Sequence, residues 1–219
     1  MSYKKYAGQT RWIETNVCNL AYGNFEGAGK YDIPILEPVH IDKAILENTP
    51  LQGFNFALGD KNPQDKAVHF FLHDYQFERV WKYPDRYVEV LSAFKYLLSP
   101  DFSCYTDTPV AVRIFNTYRN RWCARYWQEQ GLTVIPTVTW SDDKTFEFCL
   151  DGLPKHSVIA ISTMGDFWYN DGEAHLKHWD EMLERLEPEA ILLYGNSKRN
   201  VEFKGNTVIK KVISSKVAL

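Results

Sequence analysis

The stretch DTPVAVRIFNTYRNRWCARYWQEQGLTVIPTV, residues 107–138, decides the reading of the fold. Asp107-Thr108-Pro109 predicts a helix start, with Thr108 as N-cap and Pro109 at the first helical position, where a missing N–H costs nothing. Neither Pro nor Gly interrupts the chain until Gly131, a natural residue just past a helix end. Leu132–Val138 then reads as a buried strand, apolar and β-branched. A long helix running directly into such a strand is the crossover of a βαβ unit.

The same alternation extends in both directions. Phe54–Leu58, Ala67–Leu72, Tyr96–Ser99, Ser157–Ser162 and Ala190–Tyr194 read as further strands. Helices are predicted from Tyr83-Pro84-Asp85 to about Phe94, from a Ser141 or Asp142 cap to about Leu150, and from Glu173 to Leu186. Asp151-Gly152-Leu153-Pro154 and Pro188 stop the last two. The expected fold class is α/β, a mainly parallel sheet of βα repeats. With 219 residues it is an incomplete TIM-like barrel or an open sheet, since a full barrel takes about 250. Residues 1–50, broken by glycines and by Pro34, Pro38 and Pro50, are expected as an irregular N-terminal arm on the core, with a short strand or two. Residues 51–200 form the α/β core. Residues 201–219 form a C-terminal β extension, a hairpin or edge strands turning near Lys204-Gly205-Asn206.

Composition narrows the function classes. Apolar residues at 45% and charged residues at 24% exclude disorder as the main state. A net charge of −3 argues against a generally basic nucleic-acid coat. Cys18, Cys104, Cys123 and Cys149 lack zinc-ligand spacing and are expected as buried thiols of a reducing cytoplasm. The N-terminus has no apolar signal core, and no run approaches the ~20 residues that cross a bilayer, so no membrane partner is expected. Gly23, Gly27 and Gly29 are not followed by the Gly-Lys-Ser/Thr of a phosphate loop. No motif names a cofactor, a metal or an oligomeric state.

In a parallel α/β protein the loops leaving the strands gather at one edge, where ligands bind. The residues after the strands are therefore the candidates. Asp74 and Asp101 are the expected catalytic acids, able to hold a divalent metal or to share acid–base work. His73 is a candidate ligand or base, although successive strand residues face opposite ways. Ser103, Thr139, Trp140 and Asn196 complete the rim, Trp140 either stacking on a ring substrate or sealing the core. The bland alternatives are that Asp74 caps the following helix and that Asp101 ties its own turn. On a helical wheel Arg113, Arg119, Arg121 and Arg125 form no single stripe. Ala111, Ile114, Phe115, Tyr118, Trp122 and Tyr126 make an apolar arc expected to face the core. Arg125 can pair with Glu129 four residues on. Only the first turns lie near the strand ends, so Arg113 and Asn116 are the binding candidates on this helix.

HFFLHDYQFERVW (69–81), LLSPDFSCYTDTP (97–109), YRNRWCARYWQEQGLTVIPTVTW (118–140) and ILLYG (191–195) resemble a family known only as a domain of unknown function, found in bacteria, phages and mobile elements. The resemblance spans roughly residues 30–196. Much of the family looks to carry Asp-Asp-Tyr where this chain has His73-Asp74-Tyr75, which weighs against position 73 as an essential metal ligand. Asp74, Asp101, Ser103 and Trp140 match the pattern. The resemblance implies a phage or mobile-element origin and no particular activity. Two functions are therefore expected to compete. One is an enzyme acting on a nucleotide, nucleic acid or other polar ring compound at the C-terminal strand edge. The other is a non-catalytic protein that binds a host defence, replication or regulatory factor.

Overall fold

The computed structural model describes residues 23–164, 173–195 and 208–211. In the arm, β1 (Gly27–Ala28) pairs antiparallel with β2 (Ile33–Pro34). Gly29 at φ 69° and Asp32 at φ 51° make the turn between them. Helix α1 (Lys43–Asn48) follows. Four short strands then pair in parallel and in chain order: β3 (Leu51–Gly53), β4 (Ala67–His69), β5 (Leu97–Leu98) and β6 (Val134–Ile135). A second parallel ladder joins β7 (Val158–Ser162), β8 (Ala190–Tyr194) and β9 (Val208–Lys211). A parallel bridge between Thr137 and Ala160 links the two ladders. The fold is thus α/β with a parallel sheet. The tail enters as a parallel strand beside β8. The first arm of the hairpin alternative and its turn lie outside the described residues.

The sheet is curled. Four strand steps separate β4 from β8, roughly 19 Å in a flat sheet at the usual spacing. Yet the rings of His69 on β4 and Tyr194 on β8 lie 4.5 Å apart. One apolar cluster on the concave side joins Leu46 of α1 to Ala67, Leu98, Ile135, Ala160, Leu192 and Ile209 from six successive strands. Among the described residues no ladder joins β3 to β9, so the sheet remains open.

Several predicted elements shift. Phe54–Leu58 is not a strand: β3 ends at Gly53, and Phe54–Ala57 is a helical turn, α2. Its buried residues, Phe54 and Ala57, are three apart, whereas Phe56 and Leu58 are about half exposed. That is helical rather than alternating spacing. The helix expected from Tyr83 is a 3-10 turn (Asp85–Tyr87) followed by α4 (Val88–Ser92), and another helix, α3 (Glu78–Lys82), precedes it. The long helix α5 spans Val110–Glu129. Pro109 is its N-cap, with ψ 137°, so Thr108 falls one residue too early to cap. Gly131, at φ 85°, ends it as expected. Asp142 caps a shorter α6 (Asp143–Phe146) through a reciprocal capping box with Thr145. Helix α7 is Glu173–Leu186. Cys104, Cys123 and Cys149 are buried and free, while Cys18 lies outside the described residues.

The largest departure is on α5. Its middle buries Arg113, Asn116, Thr117, Arg119, Asn120 and Arg121, while Val112 and Phe115 stand 43% and 39% exposed. The expected apolar arc is fully buried only toward the C-terminal end, at Trp122 and Tyr126, with Tyr118 packed against the core but partly exposed. The polar face turns inward because the chain just beyond β6 and the turn that follows residue 146 leave carbonyls to satisfy. Arg121 meets that need. Its guanidinium donates to Thr137 O at 3.0 Å, Cys149 O at 2.7 Å, Asp151 O at 3.4 Å and Asn120 Oδ1 at 2.8 Å. Arg121→Leu is expected to lower unfolding free energy by about 3 kcal/mol or more, the cost of several buried carbonyls left without donors. Urea denaturation measures it. A parent-like midpoint would show that Arg121 does not hold α5 to the sheet.

Candidate functional site: an aspartate pair between the strand ends and helix α5

The two aspartates lie on the loops after β4 and β5, near enough for the charge of Asp74 to act on Asp101. Asp74 opens a 3-10 turn, Asp74–Gln76. Its carboxylate does not cap this turn. It accepts hydrogen bonds from the Ser103 Oγ–H at 2.8 Å and from the Ser103 N–H at 3.2 Å. Arg119 lies 3.8 Å from Asp74, forms a 2.7 Å ion pair with Glu78, and stacks 3.7 Å over Phe102. Arg119 also donates to Asn116 Oδ1 at 3.0 Å, and Asn116 donates in turn to the Ser103 carbonyl. Helix α5 therefore braces the loop that fixes Asp74.

Asp101 is partly buried. Its Oδ1 accepts a hydrogen bond from the Thr139 hydroxyl, and its Oδ2 has no partner among the described residues. Burial above all, with the negative charge of Asp74 adding, pushes the Asp101 carboxyl up to about 6 against the opposing Thr139 bond and Arg121 charge. A carboxyl at that value exchanges its proton near neutral pH. Among the described residues no group of three or more His, Cys, Asp or Glu side chains converges on a possible metal position.

The other sequence candidates are placed as follows. Ser103 and Thr139 hold the two acids directly. Arg113 is buried and engaged by Asp142 at 2.8 Å and Ser141 at 3.3 Å. Burial acts to raise the Asp142 carboxyl, but bonds from Arg113 and Thr145 outweigh it and hold it below the usual range. Trp140 is 3% exposed and packs edge-to-face on Phe146, sealing this end of the core. His73 is exposed and stacks on Tyr75, which is 79% exposed. Asn196 lies outside the described residues. Arg125 pairs with Glu129 at 2.6 Å and also with Glu37. Sequence reasoning missed Arg119, Glu78 and Arg121. The consecutive polar run Arg119-Asn120-Arg121, which places a charged residue on more than one face of the helix, was the available signal. A cleft of about 530 Å³ lies at the opposite, N-terminal strand edge, lined by His40, Asp42, Lys95, Tyr96, Thr133 and Glu189 among others.

These features define an α/β protein with a braced carboxyl pair at the C-terminal edge of a curled parallel sheet. The chain belongs to the family described as "Domain of unknown function (DUF4417)", which it matches over residues 25–211. It is 40% identical over 183 residues to the "Gene 1 protein" of Mycobacterium phage L5, covering 82% of this chain and 77% of that protein. It is 39% identical over 183 residues to the "Gene 1 protein" of Mycobacterium phage D29, covering 82% of this chain and 66% of that protein. The phage source of both relatives agrees with the lineage that the sequence motifs imply. No solved structure matches the chain. No helix among the described residues is long and apolar enough to cross a membrane.

The raised Asp101 carboxyl has a consequence for stability. Its ordinary value is 3.8, and the folded chain holds it at about 6. The folded state therefore binds this proton more tightly, so the contribution is full below pH 4 and is lost as pH rises through 6. Asp101→Asn is expected to be more stable than the parent by about 1–3 kcal/mol at pH 8, with little or no difference at pH 4. Urea unfolding at the two pH values measures this, and a pH-independent difference would contradict it.

Proposed function

We propose that the protein is an acid–base enzyme acting on a polar ring compound, such as a nucleoside or nucleotide, at the C-terminal strand edge. The observation that carries this reading is Asp101: one oxygen fixed by Thr139, the other without a partner among the described residues, and a proton that titrates near neutral pH. Asp101 serves as the general acid or base. Asp74, held by Ser103 and braced by Arg119, adds its negative charge to the burial that raises the Asp101 carboxyl. Tyr75 and Tyr105, exposed on the two loops that carry the acids, offer ring faces for stacking. A panel of nucleosides and nucleotides incubated with the protein and resolved by mass spectrometry tests for turnover. Asp101→Asn is expected to lower the turnover found by about 10²–10⁴-fold while folding normally. Parent-like turnover by that variant, or no conversion of any panel member, would count against this reading.

A second reading, a non-catalytic binder of a host factor, is favoured by a different observation. Tyr105, Val112 and Phe115 expose apolar surface on and just before the first turns of α5. Affinity capture from host extract is expected to return one stoichiometric partner. Val112→Asp together with Phe115→Asp should release it.

A further inference from the structure

The loops around the aspartate pair are acidic. Those that leave β4, β5 and β6, residues 70–76, 99–109 and 136–142, hold Asp74, Asp101, Asp107 and Asp142 and no lysine or arginine. The cations bonded to these loops among the described residues come from α5, and each is already engaged. Arg113 is held by Asp142 at 2.8 Å. Arg119 is held by Glu78 at 2.7 Å and lies 3.8 Å from Asp74. Arg121 donates to the Thr137 and Cys149 carbonyls. All three are buried. A bound phosphate is ordinarily met by a free Arg or Lys side chain, and these loops supply none.

What the loops do expose is ring surface. Tyr75 is 79% exposed and Tyr105 is 48% exposed. His73 is exposed as well, and its ring lies 6.1 Å from that of Tyr75 with the two planes only 11° apart. These parallel rings come from the residues on either side of Asp74. Tyr105 also neighbours an acid, because the Thr108 N–H donates to the Tyr105 carbonyl at 3.1 Å and closes a turn that carries the exposed Asp107. A flat base stacks on exposed aromatic faces whatever its sequence. A phosphate attached to that base is brought beside acidic side chains, and like charges at short range repel. A carboxylate accepts hydrogen bonds and donates none, so the matching ligand brings N–H or O–H groups.

We propose that the substrate of this site is a nucleoside without phosphate, its base stacked on Tyr75 and His73, and that the acidic loops select against the corresponding nucleotide. The proposal rests on the acid–base reading for the place of the site and narrows its substrate class.

Full-length protein titrated by ligand-observed NMR with each common ribonucleoside and with its 5′-monophosphate tests this. The expected result is saturable binding of at least one nucleoside. Its monophosphate is expected to bind about tenfold more weakly or worse at low ionic strength, a gap that shrinks as added salt screens the repulsion. Tyr75→Ala removes a ring that is mostly in solvent and is expected to weaken nucleoside binding by about tenfold. Asp107→Lys is expected to narrow the gap between nucleoside and monophosphate, which a merely structural role for Asp107 would leave unchanged. Any of four results would overturn the proposal: no saturable binding of any nucleoside, a monophosphate bound as tightly as its nucleoside, parent-like nucleoside binding by Tyr75→Ala, or a gap that Asp107→Lys does not move. Preference for the monophosphate with turnover that still depends on Asp101 would sink this inference and leave the acid–base reading intact. Preference for the nucleoside with parent-like turnover by Asp101→Asn would do the reverse.

Discussion

The architecture depends on the buried guanidinium of Arg121. The strands around it are only two to five residues long, so their ladders leave carbonyls unpaired just where the chain turns away. Arg121 answers one such carbonyl, that of Thr137 beyond β6, and two in the turn after α6, those of Cys149 and Asp151, from the middle of a helix whose neighbouring polar residues also face inward. A lysine could not do this, because one ammonium lacks the planar fork that spans diverging acceptors. Burial pulls the Arg121 pKa down only to about 10, so the group stays charged and its bonds keep their charge-assisted strength.

The candidate site follows from the same arrangement. With the polar face of α5 turned toward the strand ends, Arg119 and Asn116 reach the loop around Ser103, and that loop holds Asp74. Asp101 is then partly buried, with no cation in direct contact among the described residues. Burial raises its carboxyl, and Asp74 adds to the effect, while Arg121 lies near enough only to moderate it. A conventional amphipathic helix would have placed leucines there and left both acids to solvent. The exposed Val112 and Phe115 are the counterpart of that inversion, since an inward polar face leaves apolar residues outside.

Curling of the sheet has a separate consequence. It brings β4 and β8 together across the concave side, so that His69, Phe71 and Tyr194 pack as one ring cluster although they lie far apart in sequence. An imidazole in that cluster is dehydrated, neutral and fixed in orientation. The same residue at the end of a flat sheet would titrate normally.

Local signals determined much of the outline. Gly131 and Asp142 marked a helix end and a helix start because positive φ and N-capping are properties of single residues. The apolar run Ala190–Tyr194 matched its strand residue for residue, and the Arg125–Glu129 pair needed only helical spacing. The acids after β4 and β5 were legible as residues at strand ends, but not their company. Which face of α5 turns inward was decided by the tertiary structure, because the balance lay between burying an apolar arc and satisfying carbonyls whose positions depend on every neighbouring strand. Phe54–Leu58 became a helical turn for a related reason: a five-residue apolar run suits either state, and packing against Phe70 and Tyr87 selects the spacing of three. The proton affinities of Asp101 and His69 likewise belong to the folded chain alone, since dehydration and neighbouring charge arise only when distant segments close around a group.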